Sequence, residues 1–406
     1  MITLMKKIVK KIVSLLNSML SVNPKKSRSI IWYEDEIYKD HEFDDKLYNI
    51  DIVFDEIDWK KNKKVYFSGV CIFSEAKVLV FQSLGNDMKH PGFRKTIVFN
   101  KYYRPLRYPT HDVNLYRPKY ILKNLCLLFK TRNKAKIKGR AALLGNRGFS
   151  NDNYYHFWAD VISDIWYIRR NIPPSELPNT YLVPFVGLAW QWDILHSCGL
   201  RDDQIIPCSR YDVLSFEKLI IPFRDRGAVN LPPWLSSAIH QMSGWSPKTV
   251  KGTRLIFVSR ADATRRRVVN EAVIRERLVQ EGFEVYTLDG MSFREQQSLF
   301  ASASIICAPH GAALTNLVWC GPGTVVIDLL SEQHLTPCFK ELAEQNQVVY
   351  YPCVCKKVES EDLGIEGDIA VSVCQIEFVM NIVAKHSPLS NNSNDASVGF
   401  EELTKK

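Results

Sequence analysis

Two groups of residues in this 406-residue chain have types and spacings that can do chemistry. The first is Ala308-Pro309-His310-Gly311-Ala312-Ala313-Leu314-Thr315-Asn316, preceded by the apolar run at 303–307 and followed by Gly321-Pro322-Gly323. That order predicts a strand, a tight turn and a helix start, and the first N–H groups of a helix are free to meet an anion. His310 can donate to a phosphate or ribose oxygen, while Gly311 lets the backbone approach a ligand closely. Asn316 suits either a ligand or a neighbouring loop. Ser259-Arg260 ends another apolar run, with Arg265-Arg266-Arg267 in the loop beyond. Guanidinium forks pair with phosphate oxygens, but consecutive arginines cannot all face one ligand, so at most two contact it, Arg260 foremost. Asp328, near the end of the run at 324–330, suits ribose hydroxyls or a helix cap. Glu295 and Gln296 open a helix after Ser292-Phe293-Arg294 and are expected to line a crevice between domains.

The second group is Asn151-Asp152-Asn153-Tyr154-Tyr155-His156-Phe157-Trp158-Ala159-Asp160. His156 and Asp160 stand four apart and share one side of a helix. A carboxylate beside an imidazole fixes its tautomer and raises its basicity, as a general base requires. A satisfied structural histidine is the competing reading, and core packing accounts for the aromatic residues. The pair also suggests an acyltransferase, although its gap is one residue short of that pattern.

The elements that must position these residues follow from periodicity. Short β-rich runs at 50–54, 64–67 and 76–81 predict an early, partly antiparallel sheet. The basic stretch after Tyr116 is read as helix and loop, followed by a strand at 141–144, a polar turn, and a helix from Tyr154 to about Arg170. Strands are expected at 181–184 and 218–221, and a linker at 244–251. Beyond it, strands at 255–258, 283–286, around 305, 324–330 and 348–351 alternate with helices at 270–281, 293–303 and 335–345. This rhythm predicts a mainly parallel, doubly wound α/β sheet, with ligands beyond the carboxyl ends of its strands. Arg260, Pro309-His310-Gly311 and Asp328 all fall at such ends.

At 46% hydrophobic and 24% charged, the composition is that of an ordinary globular protein large enough for two full cores. The ten cysteines form no metal-like pair or disulfide framework, which points to a reducing compartment. Dehydrogenases and ATPases are disfavoured, because neither the glycine-rich dinucleotide fingerprint nor a phosphate-loop lysine motif is present. The net charge of +9 is concentrated in the first thirty residues and between Lys119 and Arg140. No nucleic-acid-reading motif accompanies it, so nucleic acid is not an expected partner. Residues 1–24 set Lys6, Lys7, Lys10 and Lys11 beside Leu4, Ile8, Ile12, Leu15 and Leu16. This is a basic amphipathic helix, too short to span a bilayer but suited to an anionic membrane surface.

Taken in order, these segments resemble glycosyltransferase family 61. The resemblance rests on Tyr154-Tyr155-His156-Phe157-Trp158-Ala159-Asp160, Ser259-Arg260 with Arg266-Arg267 and Asn270-Glu271, and Gly282-Phe283-Glu284. It continues through Leu288, Ser292-Phe293-Arg294-Glu295-Gln296, residues 309–316 and Pro322-Gly323-Thr324-Val325-Val326-Ile327-Asp328. The family usually has Glu at the position of Asp328. The resemblance implies a GT-B arrangement, two Rossmann-like domains facing a central cleft, and a metal-independent inverting transferase with no bound cofactor. Its domains would be an acceptor-binding one at 25–245 and a nucleotide-sugar-binding one at 251–375, then a closing helix at 376–386 and a flexible tail at 387–406. The donor diphosphate would meet Arg260, Arg266 and the helix starting at Ala312, and Asp328 would hold the ribose. His156 would be the base with Asp160 as its orienter, and Asp152 the rival base. UDP is the default nucleotide, with a CMP-activated acidic sugar as the alternative. The acceptor would be a lipid-linked or oligosaccharide glycan of a bacterial capsule or lipopolysaccharide, met at the cytoplasmic face of the inner membrane. A homodimer is left open. A non-catalytic sugar- or nucleotide-binding assembly factor is the reading without chemistry.

Overall fold

A computed structural model of the chain describes residues 30–34, 50–53, 56–59, 69–82, 94–103, 126, 129–145, 153–184, 187–223, 231–263, 265–358 and 367–387. The basic helix expected at 1–24, the tail and Asp152 lie outside them. The chain divides into two compact units, residues 1–45 with 63–227 and residues 46–62 with 228–406.

The first unit is built on a mixed sheet of seven strands: β1 (Ile30–Glu34), β4 (Gly69–Gln82), β5 (Arg94–Phe99), β6 (Lys134–Leu143), β7 (Thr180–Val183), β8 (Ile205–Pro207) and β9 (Val213–Phe223). The intervening β2 (Ile50–Val53) and β3 (Glu56–Trp59) form an antiparallel hairpin that belongs to the second unit. The order is β1-β4-β9-β6-β7-β8, with β5 also paired to β4. Pairing is antiparallel around β4 and parallel from β9 through β8. An early, partly antiparallel sheet was expected, and the strand expected at 64–67 lies outside the described residues. Strand β6 is a correction. Residues 134–140 belong to it, where helix and loop were expected, because Lys134, Lys136 and Lys138 alternate with the less exposed Ala135, Ile137 and Gly139. A period of two overrides the high charge.

Helix α1 follows at 154–171 as one α turn (Tyr154–His156), a π-helix (Phe157–Ile162) and an α-helix (Ser163–Asn171). Gly145 supports it from below. Its φ of 56° is left-handed, and an added Cβ would lie 2.9 Å from Val161 Cγ2. The Gly145 N–H donates to the buried Asp164 carboxylate at 2.9 Å. Helix α2 (Ala189–Ser197) lies between β7 and β8.

The second unit opens with helix α3 (Leu235–Ser243), expected in the N-terminal domain. Its His240 ring donates to Val318 O at 2.5 Å, and its Ser236 N–H donates to Gln345 at 3.0 Å. These bonds place α3 with the second unit, ahead of the linker expected at 244–251. The sheet follows: β10 (Arg254–Val258), β11 (Glu284–Tyr286), β12 (Ala303–Pro309), β13 (Val325–Ser331), β14 (Val349–Lys357) and β15 (Ile369–Ala370). Its order is β11-β10-β12-β13-β14-β15, parallel except for the final pair. Numbered within the unit, the first five strands run 2-1-3-4-5, a doubly wound order whose direction reverses between β10 and β12. Helices α4 (Glu271–Gln280), α5 (Phe293–Ala301), α6 (Cys338–Gln345) and α7 (Val373–His386) accompany it. Ile274 and Leu278 of α4 and Val379 and Val383 of α7 pack on Phe257, Ile305, Val325 and Ile327 of the strands, all buried. After β12 the chain forms a 3-10 helix (Ala312–Trp319) where a regular helix was expected.

Candidate functional site

The second unit gathers its chemistry at the reversal point between β10 and β12, the place where doubly wound sheets bind ligands. Arg260 lies two residues past β10, on a turn shaped by Glu271. That carboxylate accepts from the Ser259 hydroxyl at 2.6 Å and the Arg260 N–H at 3.3 Å. The Arg260 guanidinium donates to Arg265 O at 3.1 Å and lies against Gly311, where an added Cβ would come within 2.2 Å of Nη1. Gly311 is extended, so its need for glycine is one of space and not of backbone conformation. A fixed guanidinium therefore lies beside the start of the 3-10 helix, whose first N–H groups, from Ala312 onward, have no acceptor within the helix.

The neighbouring arginines separate. Arg267 pairs with Asp368 at 2.8 Å. Burial pushes the Asp368 carboxyl up, but the bonds from Arg267 outweigh this and hold it below its ordinary range. Arg266 adopts a left-handed backbone with φ of 53° and acts electrostatically on the ring of His334. Burial, with His310 and Arg266 nearby, lowers the His334 pKa to about 3. Of the three consecutive arginines, Arg267 is thus turned to a structural partner.

His310, Asp328, Asn316 and Glu295 have partners within the protein that differ from the expected ones. His310 Nδ1 lies 2.8 Å from Asp328 Oδ2, and His310 Nε2 lies 3.1 Å from the Thr336 hydroxyl. With Nδ1–H donating to the carboxylate, Nε2 accepts from Thr336, and both ring nitrogens are occupied. Asp328 has no exposed surface and takes a second bond from Tyr350 OH at 2.7 Å. A carboxylate so enclosed braces His310 and the end of β12 and offers no face to a ribose. Burial and Asp328 together push the Tyr350 hydroxyl well above its ordinary pKa, so it stays the donor. Asn316, also fully buried, donates to Gln296 at 3.0 Å and accepts from Trp319 at 3.0 Å, which ties the 3-10 helix to α5. Glu295 caps α5 through Ser292 at 2.7 Å. Pro309 ends β12 in register with Leu329, which places His310 and Gly311 just past the sheet edge.

Within the first unit, His156 Nδ1 lies 2.8 Å from Asp160 Oδ2. Asn153 caps the helix by accepting the His156 N–H at 3.2 Å. The carboxylate selects the tautomer with hydrogen on Nδ1, so Nε2 carries the lone pair of the neutral ring. Asp160 is almost fully buried and His156 partly exposed. A carboxylate supporting an imidazole at the protein surface is the arrangement of a general base. The pair spans the π turn, a helix irregularity frequent at functional sites.

Residues 154–327 match the sequence model of the family described as Glycosyltransferase 61. Over these residues the chain is similar to glycosyltransferase family 61. No curated protein matches the chain. The matched segment holds His156, Asp160, Arg260, Arg266, His310 and Gly311, and stops one residue before Asp328. His334, Thr336 and Tyr350 lie beyond it, and sequence reasoning missed all three. For His334 and Thr336 the available signal was a polar loop directly after a predicted parallel strand. Tyr350 is one of two adjacent tyrosines within a strand and carried none. Glu271, quoted only as part of the resemblance, emerges as the support of Arg260.

Proposed function

We propose that this glycosyltransferase moves a sugar from a nucleotide-sugar donor to a hydroxyl of a surface-glycan acceptor, with inversion and without a metal ion. The observation that carries this reading is the Arg260 guanidinium fixed against Gly311 at the start of the 3-10 helix. Breaking the bond between the anomeric carbon and the diphosphate leaves negative charge on the departing oxygen. Arg260, Arg266 and the N–H groups at Ala312 and Ala313 are the donors proposed to meet it, as a divalent ion would in another enzyme. Asp328 and Tyr350 contribute by holding His310 and, through it, the Gly311 turn.

On the acceptor side, His156 Nε2 takes the hydroxyl proton as the oxygen attacks the anomeric carbon, and Asp160 stabilises the imidazolium that forms. One carbon–oxygen bond forms on the face opposite the one that breaks, which inverts the centre. This requires the two units to work as a GT-B pair. Asp152 is the rival base. UDP is the proposed nucleotide, with CMP as the alternative, and the acceptor is a lipid-linked or oligosaccharide glycan. The amphipathic 1–24 segment supports action at the anionic inner face of the cytoplasmic membrane. Among the described residues, no helix is long and apolar enough to cross a membrane.

Incubation with a nucleotide-sugar panel and glycan acceptors, followed by mass spectrometry in the presence of a chelator, tests the proposal. Transfer should persist with the chelator and fall in Arg260→Ala while the fold is retained. Consumption of an acyl donor, or donor binding with no turnover on any acceptor, would replace the transferase reading.

A further inference from the structure

The first unit carries an exposed cluster of aromatic and basic side chains that the transfer chemistry does not use. Tyr102 is 69% exposed and Phe129 62%, the highest values among the described aromatic residues of the core-forming type. Tyr103 packs on Phe129 with ring centroids 5.0 Å apart, and Lys77 Nζ lies 4.4 Å over the Tyr103 ring. Lys134 reaches Phe129 O at 3.4 Å. Strand β6 continues the basic character: Lys134, Lys136 and Lys138 are exposed at alternate positions. Lys136 and Lys77 both register on Ser215 of β9, so they flank it on one face of the sheet.

Acidic residues on the same elements are already engaged. Glu75 pairs with Lys101 at 3.0 Å, Glu217 accepts the Gly139 N–H at 2.9 Å, and Asp212 accepts from Thr131 at 2.7 Å. The exposed surface therefore sets aromatic rings beside Lys77, Lys134, Lys136 and Lys138.

We infer that this face of the first unit, centred on Phe129, Tyr102 and the β6 lysines, is a docking surface for an anionic membrane. A tyrosine settles at headgroup depth, an exposed phenylalanine inserts its apolar ring at the interface, and lysines beside them meet anionic lipid. Bases of a single strand also stack on exposed rings beside lysines, so oligonucleotide binding is made an outcome of the test. The inference rests neither on the 1–24 segment nor on the transferase reading.

Sedimentation of the full-length protein with vesicles tests it. Phosphatidylcholine vesicles with and without phosphatidylglycerol are compared for the parent, for Lys134→Gln/Lys136→Gln/Lys138→Gln, for Phe129→Ser, and for a charge-matched control, Arg275→Gln/Arg277→Gln/Lys356→Gln, on the second unit. At roughly fivefold per lysine near a charged surface, the triple β6 variant should lose at least about tenfold in partitioning to anionic vesicles. Phe129→Ser should lose several-fold with the salt dependence unchanged, and the control should match the parent. Unchanged circular dichroism and melting confirm folding of each variant. Equal parent binding to neutral vesicles, or a β6 variant that falls no further than the control, would overturn the inference. So would loss of oligonucleotide binding in that variant with vesicle binding intact. Sedimentation does not read sugar transfer, so either proposal can fail alone.

Discussion

Gly311→Ala isolates the contact on which donor binding is proposed to depend. The new Cβ would sit 2.2 Å from Arg260 Nη1 and 3.2 Å from Cζ, well inside van der Waals contact. Because residue 311 is extended, alanine adds no backbone strain there. The obstructing atom is the far end of a flexible side chain, so relief comes from swinging the guanidinium away, at little cost to the fold. Moving it off a phosphate loses a charge-assisted hydrogen bond worth about 1.5–3 kcal/mol. That corresponds to a rise in donor Kd of roughly 10- to 150-fold, with global stability changed by less than about 1 kcal/mol. Calorimetric titration with the nucleoside diphosphate, paired with urea unfolding, reads both quantities. A double-mutant cycle then locates the cause. In an Arg260→Ala background, Gly311→Ala should weaken binding no further. Additive losses would refute action through Arg260 and assign Gly311 its own backbone contact with the phosphate. Unchanged binding in the single variant would remove the site.

His156→Gln should lower kcat by about 10²–10⁴-fold with donor KM little altered, and Asp160→Asn should lower kcat and change the pH profile of transfer; a full-rate His156→Gln enzyme would shift the role to Asp152. Tyr350→Phe removes one of two donors to a carboxylate with no exposed surface, so urea unfolding should show a loss of about 1–3 kcal/mol. His334 has a pKa of about 3 in the folded protein against an ordinary value of 6.5. Below the ordinary value the unfolded chain takes up a proton that the folded chain does not, so stability should decline as pH falls from 6.5 towards 3. At about pH 5 the loss reaches roughly 2 kcal/mol, and His334→Gln should flatten that slope.

Much of the second unit was legible from the chain alone. Alternation of apolar runs with helical periods requires a parallel sheet, and connections between parallel strands place their following loops at one edge. Arg260 and Gly311 could thus be assigned to the same end before any coordinate was known. The His156–Asp160 pair was legible for a similar reason, since a four-residue spacing is a local property of a helix. The β6 strand was misread because charge was given more weight than alternation, although residues 134–138 alternate clearly.

What the residue order determined by itself was which groups stand at which strand ends, because that depends on local periodicity. Only tertiary structure decided which of them turn towards one another. His310, Asp328, Thr336 and Tyr350 are separated by up to 40 residues, the span from His310 to Tyr350, and their bonding depends on the register of β12, β13 and β14. Packing between the 3-10 helix and α5 satisfies Asn316 inside the protein. Buried polar atoms take the nearest partner that desolvation leaves them, and nearness in space cannot be read from type and spacing.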